Sequence, residues 1–398
     1  METDILGVAP ENVFLVHILR SDLNKHLPRL NESMAEVARN RVLEVLGSLE
    51  DWTELNVFSK SMSIVSVVAS SVFVGPELCR DNEWLEMSTR FTNNLFAAAT
   101  ALKAYPQFLR RFAQYWCPEA LAVREEGRKA HALLKPVIES RQALRDGHPD
   151  STPSDLIHWL VNKAPKFGKD NIDFLVHSEL QLTLAAFNNT NAGITHLLYD
   201  IVALCPQIIP ELRTEIRASL DKHGGVWSSQ ALFDMKLFDS VMKESQRFNP
   251  NLMITPRTIL KPVTFSDGTT IPAGVNVCLA GYAALRDPGN YKDAAKFDPY
   301  RFLKLRSGEV EDPLQYPTKE LYQYVLSTKE DMAFGYGLHT CPGRFFANSA
   351  IKMIVGHILL HYDLKLPDDV KDRYPNLHLG HFVSPDMTKT LMFRDRSG

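Results

Sequence analysis

The chain has 398 residues, 45% hydrophobic and 23% charged, a balance that buries a large core in two or so lobes and excludes disorder, collagen and small disulfide scaffolds. Lys plus Arg is 44 against Asp plus Glu 47, a formal net charge of −3, so no sequence-independent attraction to nucleic acid follows. The five cysteines, Cys79, Cys117, Cys205, Cys278 and Cys341, are scattered without a Cys-x-x-Cys pair, which argues against a disulfide framework or a zinc site and for a reducing compartment.

The start, Met1-Glu-Thr-Asp4, is acidic and reaches Pro10 without a long apolar run. It reads as neither signal peptide nor anchor. From about Val13 to Leu220 the apolar spacing is mostly helical, punctuated by Gly75-Pro76, Pro106, Pro118, the polar run Asp146 to Ser154, and Pro206. The apolar stretch Ile64 to Val74 is broken by serines and stops well short of the ~20 residues that span a bilayer. Within this half, Ile172 to Cys205 reads as one long helix ended by Pro206.

Around Val263 to Val277 the pattern turns β-rich, and Asp267-Gly268 is a hairpin signal. Leu305 to Leu321, with Gly308, Pro313 and Pro317, reads as a surface loop before a final helix near Arg344 to Tyr362. The predicted fold is mainly α with a minor β part.

Cys341 stands between a glycine-rich loop, Phe334-Gly-Tyr-Gly-Leu-His339, and the final helix. Free N–H groups and the positive end of the helix dipole favour a thiolate there, either a nucleophile or a metal ligand. A cysteine-dependent hydrolase using one of the thirteen histidines is the nucleophile reading. Glu244 sits in the apolar line Leu237, Val241, Glu244, Phe248, with Arg247 three residues on. Such inward placement points to a buried, hydrogen-bonded pair. In the long helix, Asn188-Asn-Thr-Asn191 sweeps about 300°, so at least one polar residue faces inward. It is either a satisfied core amide or one in use.

The pattern Phe-x-x-Gly-x-His-x-Cys-x-Gly, from Phe334 through Gly337, His339 and Cys341 to Gly343, resembles the haem-thiolate signature of the cytochrome P450 superfamily. Further likeness extends along the chain, as in Val16 to Arg20, Val74 to Cys79, Leu197 to Asp200 and Phe265 to Gly268. Its flavour is that of fungal secondary-metabolism members, terpenoid oxidases above all. The resemblance implies a triangular helical prism with small β-sheets and haem b (iron protoporphyrin IX) bound by the Cys341 thiolate, which pushes electron density onto iron.

The same resemblance assigns roles to other residues. Phe334 would pack at the haem, Gly337 and Gly343 would let backbone approach it, and His339 and Arg257 would meet its propionates, with Arg20 serving similarly. Glu244, Arg247 and Arg301, the last from Phe297-Asp-Pro-Tyr-Arg301, would form a structural triad. Helix residues Asn188, Asn189 and Thr190 would take the proton-delivery positions, with asparagine where an acid and a threonine are commoner. Phe187, Met253, Ile254 and Phe382 would line the pocket.

The implied activity is a monooxygenase that oxidises an apolar small molecule, such as a terpenoid, with dioxygen and electrons from NADPH–cytochrome P450 reductase. The asparagine replacements leave a haem-thiolate isomerase or dehydratase, or a catalytically impaired haem-binding relative, as alternatives. Residues 1–398 would be one haem domain, with a helical lobe about 13–250 and a hairpin and haem-binding part about 251–398. Family members normally begin earlier, with a membrane anchor, a β-rich segment and the first helices. This implies a chain shortened at its N-terminus, from a family that associates with the cytosolic face of the endoplasmic reticulum.

Overall fold

The structure is a computed structural model that describes residues 13–147, 155–251 and 253–396. Residues 148–154, most of the polar run that the sequence singles out, lie outside the described residues, as does Leu252. The first half is helical: α1 (Val13–Ile18), a short π-helical turn (Leu19–Leu23), α2 (Asn24–Leu46), α3 (Val57–Phe73), α4 (Asn82–Lys103), α5 (Gln107–Ala113), α6 (Pro118–Gly147), α7 (Leu156–Lys163) and α8 (Ile172–Leu204). Next come α9 (Ile208–Lys222), α10 (Ser229–Asp234) and α11 (Lys236–Phe248), then the short α12 (Gly281–Ala284) and α13 (Arg301–Ser307), and finally α14 (Arg344–His361).

Local chemistry sets these boundaries. The Asn171 side chain accepts the Phe174 N–H at the start of α8, and Pro206 follows its end. The serines inside α3 are tolerated because they bond within the protein: Ser61 Oγ reaches the Val57 carbonyl at 2.7 Å, and Ser70 Oγ accepts the Trp84 indole at 3.0 Å. At the N-terminus of α11 the Glu215 carboxylate accepts the N–H groups of Leu237 and Phe238 at 2.7 and 2.9 Å.

The β part is small and antiparallel. Strand β1 (Thr53–Asn56) pairs with β9 (Thr390–Asp395), which also pairs with β6 (Tyr362–Lys365). Three two-stranded pieces join β2 (Thr255–Thr258) to β5 (Asn276–Leu279), β3 (Val263–Thr264) to β4 (Thr270–Ile271), and β7 (Leu377–Leu379) to β8 (Phe382–Ser384). The Asp267-Gly268 turn stands where the sequence puts it, closing β3 on β4 with Gly268 at φ +86°.

The main core runs from α1 through α14, with α8 at its centre. A second, smaller core collects Leu285, Tyr291, Ala294, Phe302, Leu305 and Tyr322. The predicted surface loop is present over residues 308–318, most of them exposed, but it starts later than Leu305 and has one buried anchor. Arg301–Ser307 is helical, and the chain beyond it wraps a buried Asp312 whose carboxylate accepts the N–H groups of Leu314, Gln315 and Tyr316 and binds Lys319 at 2.7 Å. That satisfied carboxylate lets Leu314 and Tyr316 pack on the second core. Among the described residues, no helix is long and apolar enough to cross a membrane.

Candidate active site

A cavity of about 510 Å³ opens between the loop that carries Cys341 and the middle of α8, a size typical of small-molecule and cofactor sites. One wall is Phe334, Gly335, Cys341, Gly343, Phe346 and Ala347; the facing wall is Ala185, Ala186, Asn189, Thr190 and Gly193. Small residues dominate both walls, and a Cβ added at Gly343 would meet nothing within 4 Å. The open space at Gly343 leaves that wall free for a flat group to lie against.

The thiol loop is tightly specified. Gly335 lies at φ +76°, and a Cβ there would stand 2.7 Å from the His339 carbonyl oxygen. The Cys341 N–H donates to the Phe334 carbonyl at 2.7 Å, and the Phe334 ring meets Tyr324 edge-on at 5.3 Å. From outside, Arg20 Nη2 donates to the Leu338 carbonyl at 2.7 Å and Asn24 Nδ2 to the Pro342 carbonyl at 3.3 Å.

The donor set decides what kind of metal chemistry suits the cavity. Among the described residues, no group of three or more His, Cys, Asp or Glu side chains could hold a metal ion, and Cys341 is the one cysteine in the cavity wall. A lone sulfur ligand in an apolar slot suits a metal that brings its other ligands with it, as in a macrocycle. The cytochrome P450 family model matches residues 11–392. The chain is a cytochrome P450.

Its relatives agree. The chain is 34% identical to the cytochrome P450 monooxygenase braC of Annulohypoxylon truncatum over 96% of its length and 75% of the relative's. It is 33% identical to the monooxygenase ATR3 of Stachybotrys chlorohalonatus, covering 96% of this chain and 80% of that one. A Postia placenta monooxygenase, number 151, matches at 33% over 98% of this chain and 77% of its own. The chain is accordingly a P450 monooxygenase, of a family that uses a haem with a cysteine thiolate ligand, a redox partner and a small-molecule substrate.

Within this P450 the proton-delivery candidates separate. Asn189 and Thr190 line the cavity, whereas Asn188 is half-buried and is not part of its wall. Asn189 Nδ2 donates back to the Ala185 carbonyl at 3.1 Å, and its Oδ1 accepts from Asn251 at 3.3 Å. Asn191 is the satisfied core amide: it bonds the Phe58 carbonyl at 3.1 Å and the Ser61 hydroxyl at 2.5 Å. His339 and Arg257 both line the cavity. Arg20 does not; it braces the thiol loop instead. Gly337 also stays off the wall, and its need for glycine is its φ of +65°. Of the four pocket-lining candidates only Phe382 is in the wall, since Phe187 packs into the main core.

Glu244, Arg247 and Arg301 meet as a closed cluster. Arg247 grips Glu244 with Nε and Nη2 at 2.8 and 2.9 Å, and Arg301 Nε reaches both Glu244 oxygens at 3.1 and 3.0 Å. The Arg247 guanidinium also donates to the carbonyls of Leu285, Ala294 and Lys296, and Asp298 N–H donates to Glu244. The cluster ties α11 to the chain leading into α13.

The electrostatics correct one expectation from the sequence. Burial pushes the Cys341 thiol up, and the N–H groups of Gly343 and Arg344 that donate to Sγ, with the Arg344 charge, offset only part of that. The helix terminus alone therefore does not hold a free thiolate, as a nucleophile would need. A cation bound beside the sulfur would supply the stabilisation that burial removes.

The sequence reading missed the polar end of the cavity. His196 and Asp200, one turn apart on α8, meet Ser245 and Asn249 of the α11 end and Arg373 from the chain before β7. His196, Ser245 and Asn249 are in the cavity wall. Burial holds the His196 imidazole at about 3, helped by the Arg373 charge. Burial also pushes the Asp200 carboxyl up, against the pull of Arg373 and of hydrogen bonds from Ser245 and Asn249. The available signal was an acid in the apolar run Leu197-Leu-Tyr-Asp-Ile-Val202, the same kind of signal that exposed Glu244.

Proposed function

We propose that the cavity holds haem b with the Cys341 thiolate as its axial ligand, and that the enzyme oxidises an apolar small molecule such as a fungal terpenoid. The observation that carries this reading is the single cysteine in an apolar slot facing α8. When bound, the haem supplies dioxygen activation and insertion of one oxygen atom into a C–H bond. Arg257 and His339 bind its two carboxylates, the guanidinium by a forked, charge-assisted contact. Gly343 and Ala347 leave room for the ring, and Phe334 covers its thiolate side.

On the α8 side, Asn189 cannot exchange a proton near pH 7, so its amide orients rather than relays. One Nδ2 hydrogen is held by the Ala185 carbonyl, which leaves the other for a water or a substrate oxygen. The Thr190 hydroxyl is the group on this wall that can pass a proton. The apolar walls exclude bulk water, and the polar end at Asn189, Asn249 and Asn251 suits a hydrocarbon skeleton bearing an oxygen function. Electrons come one at a time from NADPH–cytochrome P450 reductase, at the cytosolic face of the endoplasmic reticulum.

The dithionite-reduced, carbon-monoxide-bound protein tests the cofactor reading. The expected result is the family's characteristic band, lost in Cys341→Ser; absence of the band in the unmodified protein overturns it. Turnover of a terpenoid panel with the reductase tests the substrate, and oxidised product without NADPH consumption contradicts the electron source. In the same assay Asn189→Thr is expected to change the coupling of NADPH use to product, and unchanged coupling removes Asn189 from the proton route.

A further inference from the structure

The hairpin β7–β8 carries Phe382 into the cavity wall, yet has little packing of its own. Leu377, Leu379 and Phe382 are 38%, 55% and 51% exposed, and Val383 is the one strand residue that is fully buried. A two-stranded hairpin with so little burial is marginal by itself. Two backbone hydrogen bonds steady its tip and second strand, from Met253 N–H to the His381 carbonyl at 2.9 Å and from Val383 N–H to the Asn251 carbonyl at 3.1 Å. Both lead to half-buried residues of the segment that follows α11, not to the helices of the main core.

The firm attachment is at the hairpin's base. Arg373 is four residues ahead of β7, and its side chain is 11% exposed. Its Nε binds the fully buried Asp200 of α8, Nη2 donates to Asn249 Oδ1 at 3.0 Å, and Nη1 donates to Asn376 Oδ1 at 2.7 Å. Asn376, the residue before β7, also donates to Asn249 Oδ1 at 2.7 Å. On the far side Asp200 Oδ2 accepts from Ser245 and Asn249 at 2.6 and 2.7 Å. The fork thus joins α8, the end of α11 and the hairpin's own base.

His196 fixes the arrangement further. Arg373 Nη2 meets His196 Nδ1 at 3.1 Å, and a guanidinium only donates, so Nδ1 is the acceptor and the ring proton sits on Nε2. The imidazole is thereby a neutral wall residue of one tautomer, standing between Arg373 and the cavity.

We infer that Arg373 is a positioning residue for substrate selection: anchored on Asp200, it holds the base of β7–β8 against α8 and α11 and so sets where Phe382 closes the cavity. The consequence for substrate rests on the haem and substrate reading of the cavity given above; the attachment of the hairpin does not. Lysine would not replace it, because one ammonium cannot reach four partners in a planar fork.

Hydrogen exchange on the haem-loaded protein tests this, with Asp200→Asn and Arg373→Gln as the variants. The Phe382 and Val383 amides are expected to exchange at least about tenfold faster in both, while amides of α14 keep their rates. Spectral titration gives the second reading: imidazole is expected to bind the variants as it binds the parent, and the larger 4-phenylimidazole is expected to shift its Kd several-fold. Unchanged hairpin exchange overturns the inference, and so does a uniform rise across the protein, which would make the cluster a general stabiliser. Equal shifts for both azoles overturn the role in selection. The carbon-monoxide band, read on the same samples, reports separately on the cofactor.

Discussion

Two buried carboxylates organise this molecule in opposite ways. Glu244 faces two arginines, one a single helical turn away on the same helix, and those arginines spend their remaining donors on main-chain carbonyls between Leu285 and Lys296. Asp200 faces one arginine, 173 residues distant, and shares it with side-chain amides and an imidazole. The first centre carries an excess positive charge dispersed over backbone and is closed on itself. The second is balanced in charge and borders the cavity. A scaffold bond can be made from local spacing; a bond that positions a wall must join elements that are far apart in the chain.

Removing the acid from each centre is the sharpest test of that contrast. Glu244→Gln leaves two guanidinium groups buried without a counter-ion, and its expected cost is roughly 3–5 kcal/mol with loss of haem retention. Urea unfolding and the haem-to-protein absorbance ratio check both. Asp200→Asn keeps an acceptor oxygen for Ser245 or Asn249 and strands one guanidinium, so the expected cost is lower, about 1.5–3 kcal/mol. Equal losses in the two variants would erase the distinction.

Acid should reach the second centre through its histidine. The native His196 pKa is about 3 against an ordinary 6.5, so between those values the unfolded chain binds a proton that the folded one refuses. Stability therefore falls as pH falls through this window, by about 1.4 kcal/mol per unit, or roughly 2 kcal/mol at pH 5. Comparing urea midpoints at pH 7 and pH 5 in the parent and His196→Gln isolates the share, and the variant's loss should be smaller by that amount.

The smallest expected effect belongs to the first centre's neighbourhood. Ser240 Oγ donates to the Pro299 carbonyl at 2.7 Å and accepts the Leu303 N–H at 3.0 Å, stitching α11 to α13. Ser240→Ala should cost about 1 kcal/mol in unfolding experiments, leaving the carbon-monoxide spectrum as it is.

Legibility in the sequence followed the same division. Helix α8, the Asp267-Gly268 turn and the start of α14 were readable because their signals are local: a long helical run with a proline stop, a turn dipeptide, a glycine-rich loop before a helix. Glu244 and Arg247 stood out because a helical period places them together. Arg373 could not be paired with Asp200 from spacing, since only the folded topology brings α8 beside the chain before β7. Arg20 shows the converse: a basic residue near the site by resemblance became a brace on the Leu338 carbonyl. Phe187 and Asn188 fell on the far arc of α8, where a turn of 100° per residue decides between core and cavity.

The thiol loop has a kinetic meaning as well. Its closing bond from Cys341 to Phe334, the Thr340 hydroxyl on the Gly337 carbonyl at 2.9 Å and the Arg20 brace are all made by the chain itself. Fixing a residue costs about 1–2 kcal/mol of conformational entropy, and here that ordering is complete when the chain has folded. On the reading proposed above, a planar group entering the slot would meet a sulfur held by the chain's own bonds, and access to the slot would govern its capture more than a search among loop conformations.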